Sequence, residues 1–349
     1  MSPVFSNLLA QPGVALAAEA AVKIAVVIVV LMGMVAYTVL AERRICALIQ
    51  DRLGPNRVGA FGLLQPIADS FKLLLKENVL PGHVNRFWYV LAPTIAMAPP
   101  LLTLAVIPFG NTLAGFKLVI ADLDVGVLWI FSIASLGVYG IVLAGWASNS
   151  KYPFLGGMRS AAQLISYEVP MGLSVVSVFL LVGSLKLSNV VAYQAGTWLI
   201  FKAPLAFLIF LVSAFAETNR LPFDLPEAEQ ELVGGYNTEY GQMKFALFFL
   251  AEYANMIVAS ALIVTLFFGG WQVPFVRVEA FGPILAGALG VAAFFVKLLA
   301  FIVFFIWVRW TLPRFRYDQL MRLGWRVLLP LALLNIVATA LALALKLRA

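Results

Sequence analysis

The chain has 349 residues, 62% of them hydrophobic and 12% charged, with a formal charge of +7 and a mean hydropathy of +0.97. A soluble domain carries about 45–50% apolar and about 25% charged residues, so the composition excludes an ordinary water-soluble fold and predicts an all-α polytopic membrane protein. One cysteine, Cys46, and one histidine, His83, exclude an intrachain disulfide, an Fe–S cluster or a bis-histidine haem, and no basic stripe with interleaved aromatics points to nucleic acid.

A membrane-crossing helix needs about 20 mostly apolar residues. Eight such runs occur in chain order, at 21–41, 87–109, 125–147, 161–183, 198–216, 245–268, 284–308 and 327–345. They are long and do not alternate, which favours helices over barrel strands. Ahead of them, Met1–Ala21 lacks a basic segment before an apolar core and is not expected to be a cleaved signal peptide. The expectation is one transmembrane domain over 1–349 with long polar loops at 42–86 and 217–244. The first loop contains Leu64, Ile67, Phe71, Leu74 and Leu75 on one helical face, with Gln65, Asp69, Lys72 and Lys76 on the other. That is an amphipathic helix lying in the interface. It is either a simple surface float or a lid over an access route for a lipid-soluble ligand.

Lysine and arginine divide the loops into two sets. Arg43, Arg44, Arg52, Arg57, Lys72, Lys76, Arg86, Lys151, Arg159, Arg220, Lys244, Arg309, Arg314, Arg316, Arg322 and Arg326 fall in one. Lys23, Lys117, Lys186, Lys202, Arg277, Lys346 and Arg348 fall in the other. The richer set is expected on the cytoplasmic side, and an even number of spans then leaves both termini outside. The arginines read as topology markers alone, or as a group that docks a soluble partner or polarises a ligand headgroup.

The acids are more telling. Of 17 acidic residues, Glu217, Asp224, Glu227, Glu229, Glu231 and Glu239 crowd one loop and its edges. Asp224 is expected to cap a short helix, with Glu227 closing a capping box. That leaves the crowding itself unexplained, and crowding raises carboxyl pKa values. Glu168 and Glu252 lie inside apolar runs, each about eight residues or about 12 Å from the polar edge. Ionisable groups in hydrocarbon are costly and usually functional, so these acids read as a proton path. Pro170 is expected to kink the helix beside Glu168. Lys297, near the middle of the seventh run, needs a partner, with Glu168 and Glu252 the candidates. No metal site is expected.

Longer motifs add a resemblance. Glu42-Arg43-Arg44, Gly54-Pro55-Asn56-Arg57-Val58-Gly59, Gly62 through Lys72, Ala216 through Glu231, Ser166-Tyr167-Glu168, Ala251-Glu252-Tyr253 and Pro313 through Asp318 resemble the signatures of the H-subunit family of bacterial NADH-quinone oxidoreductases. The mitochondrial counterpart of that family is NADH dehydrogenase subunit 1 of respiratory complex I. The resemblance covers nearly the whole chain. It implies a membrane-arm subunit of a proton-pumping NADH:quinone oxidoreductase, in contact with other membrane-arm subunits, with peripheral-arm Fe–S and quinone-site subunits and with the lipid bilayer. The substrate it implies is a quinone, expected to be ubiquinone, with FMN and Fe–S clusters only in partner subunits. It implies that Glu168, Glu217, Asp224, Glu227, Glu229, Glu231 and Glu252 begin a proton relay, with Lys297 added from the reading of the spans. It places Arg43, Arg52, Phe249, Arg309 and Arg314 at positions similar to a quinone tunnel. The competing expectations are the membrane subunit of a related energy-converting hydrogenase and a stand-alone ion transporter.

Overall fold

The computed structural model describes residues 12–113, 115–273 and 282–348. Both termini, Arg277 and the side chains of Lys346 and Arg348, which entered the charge argument, lie outside the described residues. The described chain is helical nearly throughout. Helix α1 spans Pro12–Ile49, α2 Gln65–Leu75, α3 Arg86–Leu104, α4 Gly126–Ala134, α5 Leu136–Ala147 and α6 Lys151–Val182. Three short helices and one longer follow: α7 Leu187–Tyr193, α8 Leu199–Lys202, α9 Pro204–Glu217 and α10 Glu229–Leu232. The chain then forms α11 Gln242–Phe267, α12 Pro283–Thr311 and α13 Tyr317–Arg322, and a π-helical turn at Leu323–Leu328 leads into α14 Leu329–Arg348. Between α3 and α4, Thr112–Leu113 (β1) pairs antiparallel with Phe116–Lys117 (β2).

Seven helices among the described residues are long and apolar enough to cross a membrane, with α4 and α5 together making one of them. The eighth expected crossing is α9, which has only 14 residues and so rises about 21 Å, short of the ~30 Å hydrocarbon core. Its start is displaced because Pro204 has no N–H to continue the ladder from α8, whereas at a first turn that loss costs nothing. Two helices run well past their expected starts or ends. Helix α1 continues to Ile49, so Glu42, Arg43 and Arg44 are helical rather than part of the loop. Helix α6 begins at Lys151, ten residues early, and runs through Pro170 without interruption. Helix α2 forms as expected; none of its residues is buried, and Ile67, Phe71, Leu74 and Leu75 are exposed.

In a bilayer lipid is as apolar as leucine, so helices associate by close packing of small residues. Helix α11 is the centre, touching α1, α3, α9 and α12. Its most apolar stretch is 72% buried, against 22% for α1 and 17% for the last helix. Ala251, Ala254, Ala259, Ser260 and Ala261 keep its surface low enough for neighbours on several sides. Helices α3 and α5 meet at Gly140, where an added Cβ would stand 2.6 Å from the Ala96 nitrogen, and α5 meets the start of α6 at Gly145, 2.4 Å from the Pro153 oxygen.

Substituting Gly140→Leu therefore forces α3 and α5 apart. The expected cost is about 1–3 kcal/mol, read as a lower thermal midpoint of the detergent-solubilised protein, while Gly33→Leu, where the space is open, leaves the midpoint unchanged.

Candidate functional site

The polar groups of the bundle collect at one end, where α1, α9 and α12 finish and α6 and α11 begin. At its centre is Arg220, whose side chain is 0% exposed. It follows α9 directly, in the turn that leads into the acidic loop. Its Nη1 donates to Glu42 Oε2 at 2.7 Å, and its Nε stands 2.8 Å from Glu252 Oε1. The guanidinium also lies 4.0 Å from the centroid of the Tyr253 ring, a geometry in which ring and cation attract. Burial works against its charge, but Glu252 and Glu42 outweigh it and hold its pKa above the ordinary arginine value. Glu42 is also bound by Tyr253, whose hydroxyl donates to Oε2 at 2.7 Å, and by Arg309 Nη1, which donates to Oε1 at 2.6 Å. One carboxylate thus joins α1, the turn after α9, α11 and α12.

The acidic loop is pinned from two sides. Arg314 Nη2 donates to Asp224 Oδ2 at 3.0 Å, the Phe315 amide donates to the Pro222 carbonyl at 3.1 Å, and Phe315 stacks on Phe223. On the other side the loop lies against α6. A Cβ on Gly156 would sit 2.8 Å from the Pro226 oxygen, and one on Gly235, at φ +57, only 1.7 Å from the same atom. Arg159 then bonds Glu231 at 2.5 Å. The expected capping box is absent. The short helix starts after Ala228 without a side-chain cap, because Asp224 is engaged by Arg314 and Glu227 accepts a bond from Asn237 Nδ2 at 2.9 Å.

Behind this loop lies a cavity of about 80 Å³ bounded by α3, α4, α5, α6, α9 and α11. Glu217, Glu227, Glu252 and Tyr236 are on its wall. A buried water occupies roughly 10–15 Å³ by this measure, so the space suits several. Glu217 Oε2 has no hydrogen-bond partner among the described residues. Glu168 on α6 stands near enough to Glu217 for their charges to repel.

Burial pushes the Glu227 carboxyl up to about 8, reinforced by the charges of Glu252 and Asp224 and opposed by Arg309 and Arg220. Burial also lifts Asp224, to about 6, with Arg314 pulling the other way. The loop therefore holds carboxyls that change charge close to neutral pH.

The other anticipated residues are dispersed. Arg43 donates to Asp69 of α2 at 2.8 Å, tying the amphipathic helix to α1. Arg52 reaches Gln50 and the Cys46 sulfur. Phe249 packs on Tyr253 with ring centroids 4.7 Å apart. The Glu229 side chain lies outside the described residues. Lys297 pairs with neither Glu168 nor Glu252. Its ammonium donates to the carbonyls of Phe268, Gly270 and Gln272 at 2.8, 3.0 and 2.6 Å, at the far end of α11. Phe268 caps α11, where carbonyls are left unpaired and the negative end of the dipole lies, and Gly270 and Gln272 belong to the turn that follows, so three carbonyls satisfy the lysine without a carboxylate.

Sequence reasoning did not single out Glu42 and Arg220. A usable signal was present for the second, since Arg220 is the lone cation between Glu217 and Glu239.

Known proteins similar to this chain agree with one another. A family model described as NADH dehydrogenase matches residues 22–340. The NADH-quinone oxidoreductase H-subunit of Flavobacterium psychrophilum is 50% identical over 332 residues, 93% of this chain and 97% of its own length. One of the H-subunits of Geobacter sulfurreducens, numbered 2, is 55% identical, covering 91% of this chain and 94% of its own length. NADH-quinone oxidoreductase subunit 8 of Rhodothermus marinus is 55% identical, covering 88% and 92%.

Two outcomes follow from the geometry. Arg220→Met leaves Glu42 and Glu252 facing buried space without their shared cation, a loss of about 3–5 kcal/mol; the protein's abundance in membranes and its thermal midpoint should fall sharply. The second concerns pH. Glu227 holds its proton in the folded state up to about 8, whereas an unfolded chain releases it at about 4.3. Across that window the folded state binds more protons than the unfolded one, so stability declines as pH rises. Glu227→Gln stays neutral and should flatten that decline in thermal melts taken from pH 5 to 9.

Proposed function

The chain belongs to the family of NADH-quinone oxidoreductase H-subunits, and from that membership we propose that it works as a membrane-arm subunit of a proton-pumping NADH:quinone oxidoreductase. The polar segments between α1 and α3 and between α9 and α11, with the rest of 1–349, act as one membrane-embedded unit, with the acid-bearing end towards the cytoplasm and both termini in the periplasm. Electrons reach the site from FMN and Fe–S clusters held by partner subunits. This chain guides a quinone, of the ubiquinone type, from the bilayer and begins the acidic relay that links its reduction to proton movement.

The observation that carries this reading is the convergence of Glu217, Glu227 and Glu252 on one cavity, with Glu168 beside Glu217. Reducing a quinone to a quinol consumes protons as well as electrons. A carboxyl that titrates near pH 7 gives up a proton readily and takes another back, and Glu227 and Asp224 are held near that condition by burial. When Glu227 loses its proton, its new charge meets Glu252 and Asp224 and is eased by Arg309 and Arg220. The disturbance then passes inward along the cavity to Glu217 and Glu168. Glu231 stands at the outer edge of the same relay, and the family resemblance adds Glu229 to it. Lys297 acts from the opposite end, holding the last carbonyl of α11 and the turn after it.

The access route uses a different set of groups. The exposed apolar residues of α2 favour a lipid-soluble ligand over a charged solute. Arg43 fixes α2 through Asp69, while Arg52 and Phe249 line the approach. Arg309 and Arg314 polarise the headgroup and tie it to Glu42 and Asp224.

Glu168→Gln or Glu252→Gln keeps shape and hydrogen bonding but removes titration. Each should reduce proton pumping and coupled quinone reduction at least tenfold, while NADH oxidation by a hydrophilic acceptor at the peripheral arm persists. Arg43→Ala should instead raise the apparent KM for quinone first. Wild-type pumping by both glutamine variants, in membranes where the assembly is intact, refutes the relay.

A further inference from the structure

Gln163, on α6, makes more bonds to the turn below the cavity than any single group proposed for the relay, yet it is not on the cavity wall. Its side chain is fully buried. The amide Nε2 donates to the Ala216 carbonyl at 2.8 Å and to the Phe223 carbonyl at 2.7 Å, and it lies 3.2 Å from Asn219 Oδ1. These acceptors are the last turn of α9, the left-handed Asn219 at φ 51 and the start of the acidic loop. Residues 216–223 between them send two charged side chains in different directions. Glu217 faces the cavity, and Arg220 reaches Glu42 and Glu252. The same α6 carries Glu168 five residues on, beside Glu217.

We propose that Gln163 is a positioning residue for the relay: one buried amide fixes the turn 216–223, and so sets the placement of Glu217 against Glu168 and of Arg220 against Glu42 and Glu252. This rests on the relay described above. The geometry explains why the residue is an amide. All three groups it meets are acceptors, so a donor with two hydrogens is required, and a carboxylate there would be repelled by every one of them. Its own Oε1 meets no donor among the described residues, so the side chain is held only through its donor end. The titratable and charged groups facing this turn are Glu42 from α1, Glu168 from α6, Glu227 and Tyr236 from the acidic loop, Glu252 and Tyr253 from α11 and Arg309 from α12, whereas α3, α4 and α5 bring none to the cavity.

The test uses the assembled complex in native membranes and three variants, with NADH oxidation by a hydrophilic acceptor reporting the amount of assembly. Gln163→Met keeps the length and removes the donor. It should lower coupled quinone reduction at least fivefold per assembled complex and move the alkaline limb of its pH profile by half a unit or more. Gln163→Glu supplies one donor only when protonated, so its coupled rate should recover as the medium is acidified and vanish as pH rises. Gln163→Asn, with the amide kept and shortened, should lie between Met and wild type.

An unchanged pH profile in Gln163→Met, or a loss that only tracks the amount of complex, makes Gln163 a packing residue and overturns the proposal. An acid-insensitive Gln163→Glu overturns it as well. Glu168→Gln and Glu217→Gln are measured in parallel. If they lose pumping while Gln163→Met behaves as wild type, the relay stands and the positioning role falls. If they pump normally, both fall, because nothing is left for Gln163 to position.

Discussion

The contact between Glu42 and Arg220 orders everything around it. Two charged groups 178 residues apart meet at 2.7 Å with side-chain exposures of 5% and 0%. Neither is tolerable alone in such a place, since an isolated buried charge costs several kcal/mol even after the surroundings relax. Glu42 must therefore sit where α1 ends, Arg220 must leave α9 pointing inward, and Arg309, Tyr253 and Glu252 must arrive from α12 and α11 to complete the set. A buried pair of this kind adds little net stability over an apolar one. Its effect is to specify one arrangement of four chain segments among the many that lipid-facing helices would otherwise allow.

That fixed end gives the acids their chemistry. Because Arg220 is held by Glu42 and Glu252, only part of its field reaches Glu227, and burial raises that carboxyl to about 8. Asp224 is buried too, but a cation stands 3.0 Å from it and it rises less, to about 6. Two neighbouring carboxyls of one loop thus differ in proton affinity because one has its own arginine. The cavity behind them connects acids that belong to α9, the loop and α11, so a charge change at the loop is felt across a space they share. The packing supports this with little freedom, since the Pro226 carbonyl is received by two glycines, Gly156 and Gly235, that leave no room for a side chain.

Hydropathy and charge made the helical class, most of the crossings and the amphipathic α2 legible, because each is a local pattern of a dozen or more residues. The termini of those helices were less so. Helix α1 runs past Glu42-Arg43-Arg44 to Ile49, since charged residues do not stop a helix whose polar groups find partners in the fold. The acids of 217–231 stood out by crowding, but their partners did not. Asp224 looked like a helix cap, and Arg314, 90 residues away, claims it. Lys297 looked like one half of an ion pair, and three backbone carbonyls satisfy it. Long-range pairing of this sort has no periodicity to betray it. The cavity is likewise a property of six helices together and of no single segment.

The central claim is that carboxyls of this chain change protonation when quinone is reduced. A redox-triggered infrared difference spectrum of the assembled complex, with quinone bound, observes that change in the carboxyl C=O stretching region. The account predicts a signal from a protonated carboxyl in the wild type that is lost or displaced in Glu227→Gln and altered in Glu217→Gln, with the bands of the quinone itself retained. A spectrum in which that region is identical in the wild type and both variants would contradict it.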